Sequence, residues 1–288
     1  MTSTKPAAPT VPATVTSSTT TMRRAEQRQR QGGDFVRRLW SLPGVLILIA
    51  TWEFLPRLSG AKNFPPLSAV VGELISMAGT SLFWEYLFST LRTWAVGLVI
   101  ACLAGIVLGV LIGLIPGALR YLNSMIEFLR PIPSVALIPA VILIFGTKFE
   151  SGVVLIVYAG VWPMLLQTIF GLRDLDTVAR DTARTYRFTP IGYARRVLAP
   201  AMLPPLFTGF RLSASIALVL AVTGEMVIGT KGIGQGITIA QTSGATTSVY
   251  ALVLVAGLLG VLINLLARVL ERRLLWWHPM IRNATKGH

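Results

Sequence analysis

An all-α, polytopic membrane protein with about six transmembrane helices is predicted by the composition and by the spacing of apolar runs. Of the 288 residues, 53% are hydrophobic and only 13% are charged, whereas soluble domains carry about 25% charged residues. The mean hydropathy is +0.66. Apolar runs long enough to cross roughly 30 Å of hydrocarbon as helices recur along the chain, and they leave little room for a soluble domain.

The first 38 residues differ in composition from the rest of the chain. Residues 1–22 are dominated by Thr, Ser, Pro, Ala and Val, a composition that cannot bury enough apolar surface to offset the entropy of folding. A basic stretch follows, with Arg23, Arg24, Arg28, Arg30, Arg37 and Arg38. We therefore expect residues 1–38 to form a disordered basic tail in the cytoplasm.

The apolar run that begins near residue 39 is predicted to be a retained first span. It contains Trp52 and Glu53, and no small-residue cleavage site follows it, as one would follow a secretory signal. The six predicted spans occupy 39–56, 88–115, 122–146, 150–171, 206–229 and 248–270. Residues 39–275 should thus form the membrane domain and 276–288 a cytoplasmic tail. Pro65 and Pro66 before Ser68 predict a short surface helix capped by Ser68.

The distribution of cations predicts how the chain is oriented. The formal charge of +14 could suggest a nucleic-acid partner, but the cations are clustered between apolar runs, as in cytoplasmic loops of membrane proteins. If the N-terminus is inside, the outer segments hold only Arg57, Lys62, Lys148 and Lys231. We therefore predict that both termini are cytoplasmic and that no nucleic acid is bound.

The third predicted span contains an unusual sequence, Glu-Phe-Leu-Arg-Pro-Ile-Pro-Ser at 127–134. Proline removes a backbone donor and clashes with the preceding turn, so the prolines here should kink or unwind the helix. Irregular backbone at membrane depth survives where it faces protein or a watery cavity. The segment is thus a candidate lining of a translocation pathway, through Arg130, Pro131, Pro133 and Ser134; Pro139 should add a further kink. Arg130 could instead snorkel to the cytoplasm or pair with Glu127.

One acidic residue, Glu225, lies late in the fifth predicted span. An intramembrane carboxylate is costly unless it faces a cavity, a partner or the interface. Glu225 is therefore a further candidate for the pathway, with a position at the outer boundary as the alternative.

The sequence shows no pattern typical of an enzyme or a metal site. No cluster of His, Cys, Asp or Glu has metal-ligand spacing, and neither a GxxxxGK[ST] loop nor a Gly-x-Ser-x-Gly elbow occurs. The single cysteine, Cys102, lies within an apolar run and is expected to pack rather than react. We expect no cofactor or metal in this chain and no catalytic residue.

The segment 172–205, the polar loop, carries six arginines and three aspartates between two apolar runs. Its first part lacks proline and glycine and places apolar residues and Tyr186 on one helical face. Thr189 can cap a second helix that begins at Pro190 and ends before Pro200. The pattern predicts a helix-turn-helix at the inner membrane face, although an arginine-rich loop that only fixes topology is the simpler reading of the charge.

The order of residues in the polar loop resembles the permease subunits of ABC importers, the binding-protein-dependent transport inner-membrane family. Their coupling loop reads Glu-Ala-Ala, three residues, Gly, nine residues, Ile-x-Leu-Pro. The corresponding residues in this sequence are Asp181, Thr182, Ala183, Arg187, Val197, Ala199 and Pro200. Arg187 replaces the glycine, and a side chain there disfavours positive φ. The turn is therefore expected to be helical or to have another angle.

The resemblance covers about 64–270 and is strongest to the nitrate, sulfonate and taurine branch. The stretches that carry it are 129–139, 145–146, 171–176 and 225–235. It implies a type I ABC importer permease fold in the bacterial inner membrane, working as a homodimer. It also implies two cytoplasmic ATPase subunits that hold ATP and Mg²⁺, an external solute-binding protein, and a small solute moved by alternating access. Arg130 beside a broken helix suits an anionic solute, as do the sulfonates and nitrate of the branch, while importers of neutral or zwitterionic compounds resemble the same branch.

The resemblance also assigns roles within the polar loop. Asp181, Thr182, Ala183, Tyr186 and Arg187 would form the surface that docks on the ATPase, and Pro200 would end the loop and transmit its movement to the fifth span. Other classes remain open: a secondary transporter, a membrane-embedded enzyme, or a scaffold that recruits a cytoplasmic partner. The spans show neither buried ionisable relays nor inverted halves, which a secondary transporter would favour.

Overall fold

A computed structural model of the protein describes residues 43–60, 63–115, 117–174 and 177–275. The predicted tails, 1–38 and 276–288, lie outside these residues. Within the described ranges the secondary structure is helical and no β-strand occurs. In chain order, the helices are α1 over 43–59, α2 (Leu67–Ala78), α3 (Ser81–Leu114), α4 (Ala118–Leu129), α5 (Ile138–Phe145), α6 (Phe149–Arg173), α7 (Thr177–Thr185), α8 (Pro190–Tyr193), α9 (Ala199–Ile228), α10 (Ile233–Thr242) and α11 (Thr246–Leu274).

Four helical units in the described residues are long and apolar enough to span a membrane: α3, α6, the continuous unit Pro190–Ile228, and α11. The bent pair of α4 and α5 makes a fifth if it counts as one span. The predicted first span starts at residue 39, outside the described residues, and its described part is helix α1. Four predicted boundaries differ from the helices by several residues. Helices α3, α4 and α9 begin at Ser81, Ala118 and Ala199 rather than at 88, 122 and 206, and α11 ends at Leu274 rather than 270.

Helices α3, α6 and α9 form the centre of the bundle. Small residues allow α3 to lie against α6 at close range: a Cβ at Gly97 would be 2.6 Å from Ile156 Cγ2, and one at Gly109 would be 2.6 Å from Thr168 Cβ. Helix α9 is joined to α6 by a hydrogen bond, in which Ser213 Oγ donates to the Gly160 carbonyl at 2.7 Å. Such small-residue contacts and interhelical hydrogen bonds stabilise helix packing where lipid removes the hydrophobic drive.

At one end of the bundle, the two short helices α2 and α10 pack on α11. Phe83, Ile233 and Leu252 share a buried cluster there. Helix α10 was not expected, since 230–247 was predicted to be an outer connection. Its two glycines, Gly234 and Gly236, weaken the helical signal in the sequence, but both are buried against other helices.

The predicted cap of α2 is wrong. The N-cap residue is Pro66, and Ser68 lies inside the helix. Glu53 from α1 caps the helix instead: its carboxylate accepts the Ser68 backbone N–H at 2.9 Å and the Ser68 hydroxyl at 2.9 Å. A carboxylate at a helix N-terminus satisfies free donors and complements the helix dipole.

The second helix of the polar loop does not end before Pro200. A π-helical turn at 194–198 joins α8 to α9 without interruption, and Pro200 lies in the first turn of α9. The Ala199 N–H donates to the Ala194 carbonyl, one residue further back than in an α-helix. Proline cannot donate to the preceding turn, so the wider turn lets the helix pass it. Loop and fifth span are therefore one helical unit.

Candidate functional site

The polar loop folds as the predicted helix-turn-helix. Helix α7 precedes a tight turn, and Thr189 caps α8 by accepting the Gly192 N–H at 3.1 Å. Pro190 follows at the first helical position, where its missing N–H is not needed. The predicted cap at Thr189 is thus confirmed.

Arg187 forms the turn between α7 and α8 in the left-handed conformation. Its φ is 48°, and no other non-glycine residue in the described ranges has a positive φ. The Phe188 N–H donates to the Ala183 carbonyl and the Arg187 N–H to the Arg184 carbonyl, both at 3.0 Å. These two bonds define a Schellman motif with Arg187 at the position that glycine usually occupies. Both expectations for this turn are therefore wrong: it is neither helical nor altered in angle.

The predicted docking residues do not all lie on one surface. Four of them are exposed, namely Asp181, Thr182, Tyr186 and Arg187, and Tyr186 is 73% exposed to solvent. Ala183 is only 5% exposed, because it faces the interior of the loop and accepts the closing hydrogen bond of the turn. Its small side chain therefore permits close packing within this chain, and the docking role predicted for it stays a prediction.

Next to Tyr186 lies a basic cleft of about 820 Å³ with an apolar side. Ile191 is 81% exposed at its edge, and the Arg196 guanidinium lies 6.0 Å from the centre of the Phe188 ring. None of its arginines forms an ion pair with a described residue. The lining residues are Arg187, Phe188, Thr189, Ile191, Gly192, Arg195 and Arg196.

Ile191 points to a signal that sequence reasoning missed. Ile191 is an apolar residue just inside a helix start, in an otherwise polar stretch. Its exposure beside three unpaired arginines marks the loop as a surface that a partner with apolar and acidic groups can cover.

The predicted break in the third span is confirmed. Helices α4 and α5 are bent by 78° around 130–133, and a 3₁₀ turn from Ser134 to Leu137 leads into α5. The Leu129 carbonyl at the break accepts from the Ile132 N–H at 3.3 Å and from the Tyr158 hydroxyl of α6 at 2.9 Å, which ties the break to α6. Pro139 does not kink the helix as expected, since it lies in the first turn of α5.

The pathway candidates at the break are accessible. Arg130, Pro131 and Pro133 are exposed and Ser134 is half-buried. Arg130 is not paired with Glu127, as had been an option: Glu127 instead accepts from Asn123 Nδ2 at 2.6 Å, and no described carboxylate lies within ion-pair distance of Arg130. A free cation therefore lies beside the broken helix.

Glu225 lies elsewhere, in the packed core. It is only 2% exposed and accepts from the Thr90 hydroxyl at 2.8 Å and from the Gly234 N–H at 3.0 Å. Gly232 leaves the space for it, since a Cβ there would be 2.1 Å from the Glu225 Cδ. Glu225 thus ties the start of α10 to α3 and α9, in the last turn of α9, and its position near the outer boundary stays a prediction. A role in the pathway stays a prediction.

The loop helix, the broken third span and Glu225 all lie within the part of the chain that matches a known protein family. A family profile described as binding-protein-dependent transport system inner membrane component matches residues 105–276. The chain belongs to this family. The resemblance inferred from the polar loop and from 225–235 is confirmed, and with it the ABC importer permease class.

Curated relatives cover most of this permease. The nitrate import permease protein NrtB of Leptolyngbya laminosa is 30% identical over 252 residues, which are 84% of this chain and 89% of that protein. A putative aliphatic sulfonates transport permease protein, SsuC of Bacillus subtilis, is 30% identical over 244 residues, 84% and 87% of the two chains. The taurine transport system permease protein TauC of Escherichia coli is 28% identical over 249 residues, 84% and 90%.

Two solved structures share the fold. The MetNI methionine ABC transporter, in an inward-facing conformation, matches with a TM-score of 0.58 at 20% identity, over 67% of this permease and 95% of that chain. An amino acid ABC transporter with histidines matches with a TM-score of 0.54 at 20% identity, over 69% and 98%. At this identity the likeness concerns the fold alone.

Proposed function

We propose that this permease is the membrane subunit of an ATP-driven importer for a small anionic solute, either an oxyanion or an organic sulfonate. The observation that carries the proposal is the continuity of the polar loop with the fifth span. An exposed surface that a partner can cover is thereby attached to a helix that crosses the membrane.

The continuous unit Pro190–Ile228 is 39 residues long. A force applied at Ile191 or Arg195 acts on a rigid helix rather than on a flexible linker, because the π turn at 194–198 keeps backbone hydrogen bonding unbroken. Nucleotide-driven closure of two ATPase subunits would then tilt the fifth span and switch the pathway between inward- and outward-open states. Asp181, Thr182, Tyr186 and Arg187 supply the docking surface, together with the basic cleft.

Two observations support an anionic solute. The relatives are named for nitrate, aliphatic sulfonates and taurine, and a bicarbonate permease of Synechococcus elongatus is 29% identical over 250 residues. Arg130, exposed and unpaired beside the broken third span, offers a cation where discontinuous helices of transporters bind their cargo. Pro131, Pro133 and Ser134 shape the same segment.

The proposal includes an assembly. A second copy of the permease, two cytoplasmic ATPase subunits and an extracytoplasmic solute-binding protein would complete the importer. The membrane is the bacterial inner membrane, with both termini in the cytoplasm. ATP and Mg²⁺ would be held by the ATPase subunits.

Coupling is tested by reversing charge on the docking surface. The permease is co-expressed with its ATPase and reconstituted with the binding protein, and solute-stimulated ATP hydrolysis is measured. We expect Arg187→Glu and Asp181→Lys each to reduce the stimulation at least tenfold, since like charges across a docked surface cost several kcal/mol. Arg272→Glu, the same change on an exposed residue at the end of α11, is the control and should retain it. Full stimulation in both loop variants would refute the coupling.

A further inference from the structure

A second cavity lies between the polar loop and the ends of two spans. Its volume is about 350 Å³. It is formed where α3 ends at Leu114 and where α6 approaches its end at Arg173. The lining residues are Gly113, Leu114, Leu172, Arg180, Ala183, Arg184, Phe188, Tyr193 and Leu198.

The charged part of this cavity is positive. Arg180 and Arg184 both line it, as their spacing of four residues on one helical face allows. Neither forms an ion pair with a described residue, and among the described residues no acidic side chain lines the cavity. Two guanidiniums that no described carboxylate pairs form a site for a phosphate group, which they can bind by charge-assisted hydrogen bonds.

The remaining lining residues are mostly apolar, and three of them lie where helices of the bundle end or begin. Leu114 and Leu172 lie in the last turns of α3 and α6, and Leu198 lies in the turn that enters α9. A cavity that has two arginines on one side and leucines at helix ends on the other fits an amphipathic ligand. A free phosphate would use the arginines and leave the leucines against water.

We propose that this cavity binds the headgroup of an anionic phospholipid, with the phosphate on Arg180 and Arg184 and the glycerol with its first methylenes against Leu114 and Leu198. Basic pockets at the cytoplasmic ends of spans bind anionic headgroups in this way. The lipid would fasten α7 to the ends of α3 and α6. The location on the cytoplasmic leaflet rests on the proposed function; the phosphate chemistry does not.

The test uses the full-length permease, purified without its ATPase in a neutral detergent. Phosphatidylglycerol is titrated in and the unfolding temperature is measured, with phosphatidylcholine and inorganic phosphate as separate arms. We expect phosphatidylglycerol to raise the unfolding temperature in a saturable manner. Arg180→Gln with Arg184→Gln should weaken its apparent affinity by roughly 30-fold, at about 1 kcal/mol for each arginine lost.

The matched control is Arg195→Gln with Arg196→Gln. It removes the same charge from the same loop but from the other cavity, so it should keep the wild-type affinity. Equal loss in both double variants would show a diffuse charge effect and overturn the proposal, as would a wild-type response to phosphatidylcholine as large as that to phosphatidylglycerol. If inorganic phosphate raised the unfolding temperature as much as phosphatidylglycerol does, the site would bind a soluble anion and the lipid proposal would be overturned.

A third variant tests the proposal if the double variant Arg180→Gln with Arg184→Gln does not fold. Leu198→Trp keeps both arginines and fills the apolar side, and we expect it to lose the phosphatidylglycerol response while retaining monodispersity. Retention of the full response would contradict the assignment. The coupling variant Arg187→Glu should bind phosphatidylglycerol normally, so a failure of ATPase coupling and a failure of lipid binding give different results.

Discussion

Arg187 occupies a backbone conformation that is unfavourable for any residue with a side chain. In the left-handed region the Cβ crowds the following carbonyl, at a cost of roughly 1–2 kcal/mol. Two hydrogen bonds hold the residue there, those of Phe188 and Arg187 to the end of α7. The strain persists at an exposed position of the proposed docking surface, where the guanidinium is available to a partner, and strained residues cluster at such sites.

Glycine at this position should relieve the strain. We expect Arg187→Gly to stabilise the end of α7 by about 0.5–1 kcal/mol, because the strain energy relieved at positive φ exceeds the cost of the extra entropy that glycine has in the unfolded chain. Hydrogen exchange of the peptide over 177–190 measures this as slower exchange. Arg184→Gly is the control: it lies in the last turn of α7, where glycine should destabilise by about 1 kcal/mol. Faster exchange in Arg187→Gly would show that the turn is unstrained.

Single residues also show where sequence reasoning stops. Glu225 is recognisable as unusual because a carboxylate inside an apolar run needs a partner. Its partners are not recognisable: Thr90 precedes it by 135 residues, and Gly232 matters through the side chain that it lacks. Arg187 could be identified from the loop spacing, but its φ depends on hydrogen bonds that only the folded turn provides.

At the level of elements, apolar length predicted the spans better than their packing or their ends. Helix α3 is apolar on all of its faces, so hydrophobicity does not predict which face packs on α6. The small residues Gly97, Gly105 and Gly109 determine that face. Proline was over-interpreted as a helix end at Pro200, where a π turn carries the helix past it. The helix does break around Pro131 and Pro133, whereas Pro204 and Pro205 lie inside α9 without ending it, so the number of prolines alone does not predict a break.

The small-residue face of α3 gives a prediction with an internal control. Gly109→Ala would place a Cβ 2.6 Å from Thr168 Cβ, whereas Gly257→Ala in α11 meets nothing within 4 Å. We expect the first to destabilise the purified permease by about 1–3 kcal/mol through overpacking. The second should be neutral or stabilising by up to about 1 kcal/mol through helix propensity. Thermal unfolding in detergent compares them, and equal effects would contradict the close packing of α3 on α6.

For the whole molecule, the charge distribution and the spans give a single orientation. The arginines of the polar loop lie at one end of the unit Pro190–Ile228, and α10 with its neighbouring turn lies at the other. The loop carries six arginines, whereas the connection from Gly229 to Ala245 carries only Lys231. Cations are retained on the cytoplasmic side, so the loop should be inside and α10 outside, as docking on an ATPase and on an external binding protein requires.

Cysteine labelling tests this orientation directly. Cys102→Ala gives a background without native cysteine, into which Thr177→Cys or Gln241→Cys is introduced, both exposed positions. In intact spheroplasts that express the permease without its ATPase, a membrane-impermeant maleimide should label Gln241→Cys and not Thr177→Cys. Permeabilisation should make both reactive, because one span, α9, separates them. Labelling of Thr177→Cys alone in intact cells would invert the topology and place the polar loop, with its arginines, out of reach of any ATPase.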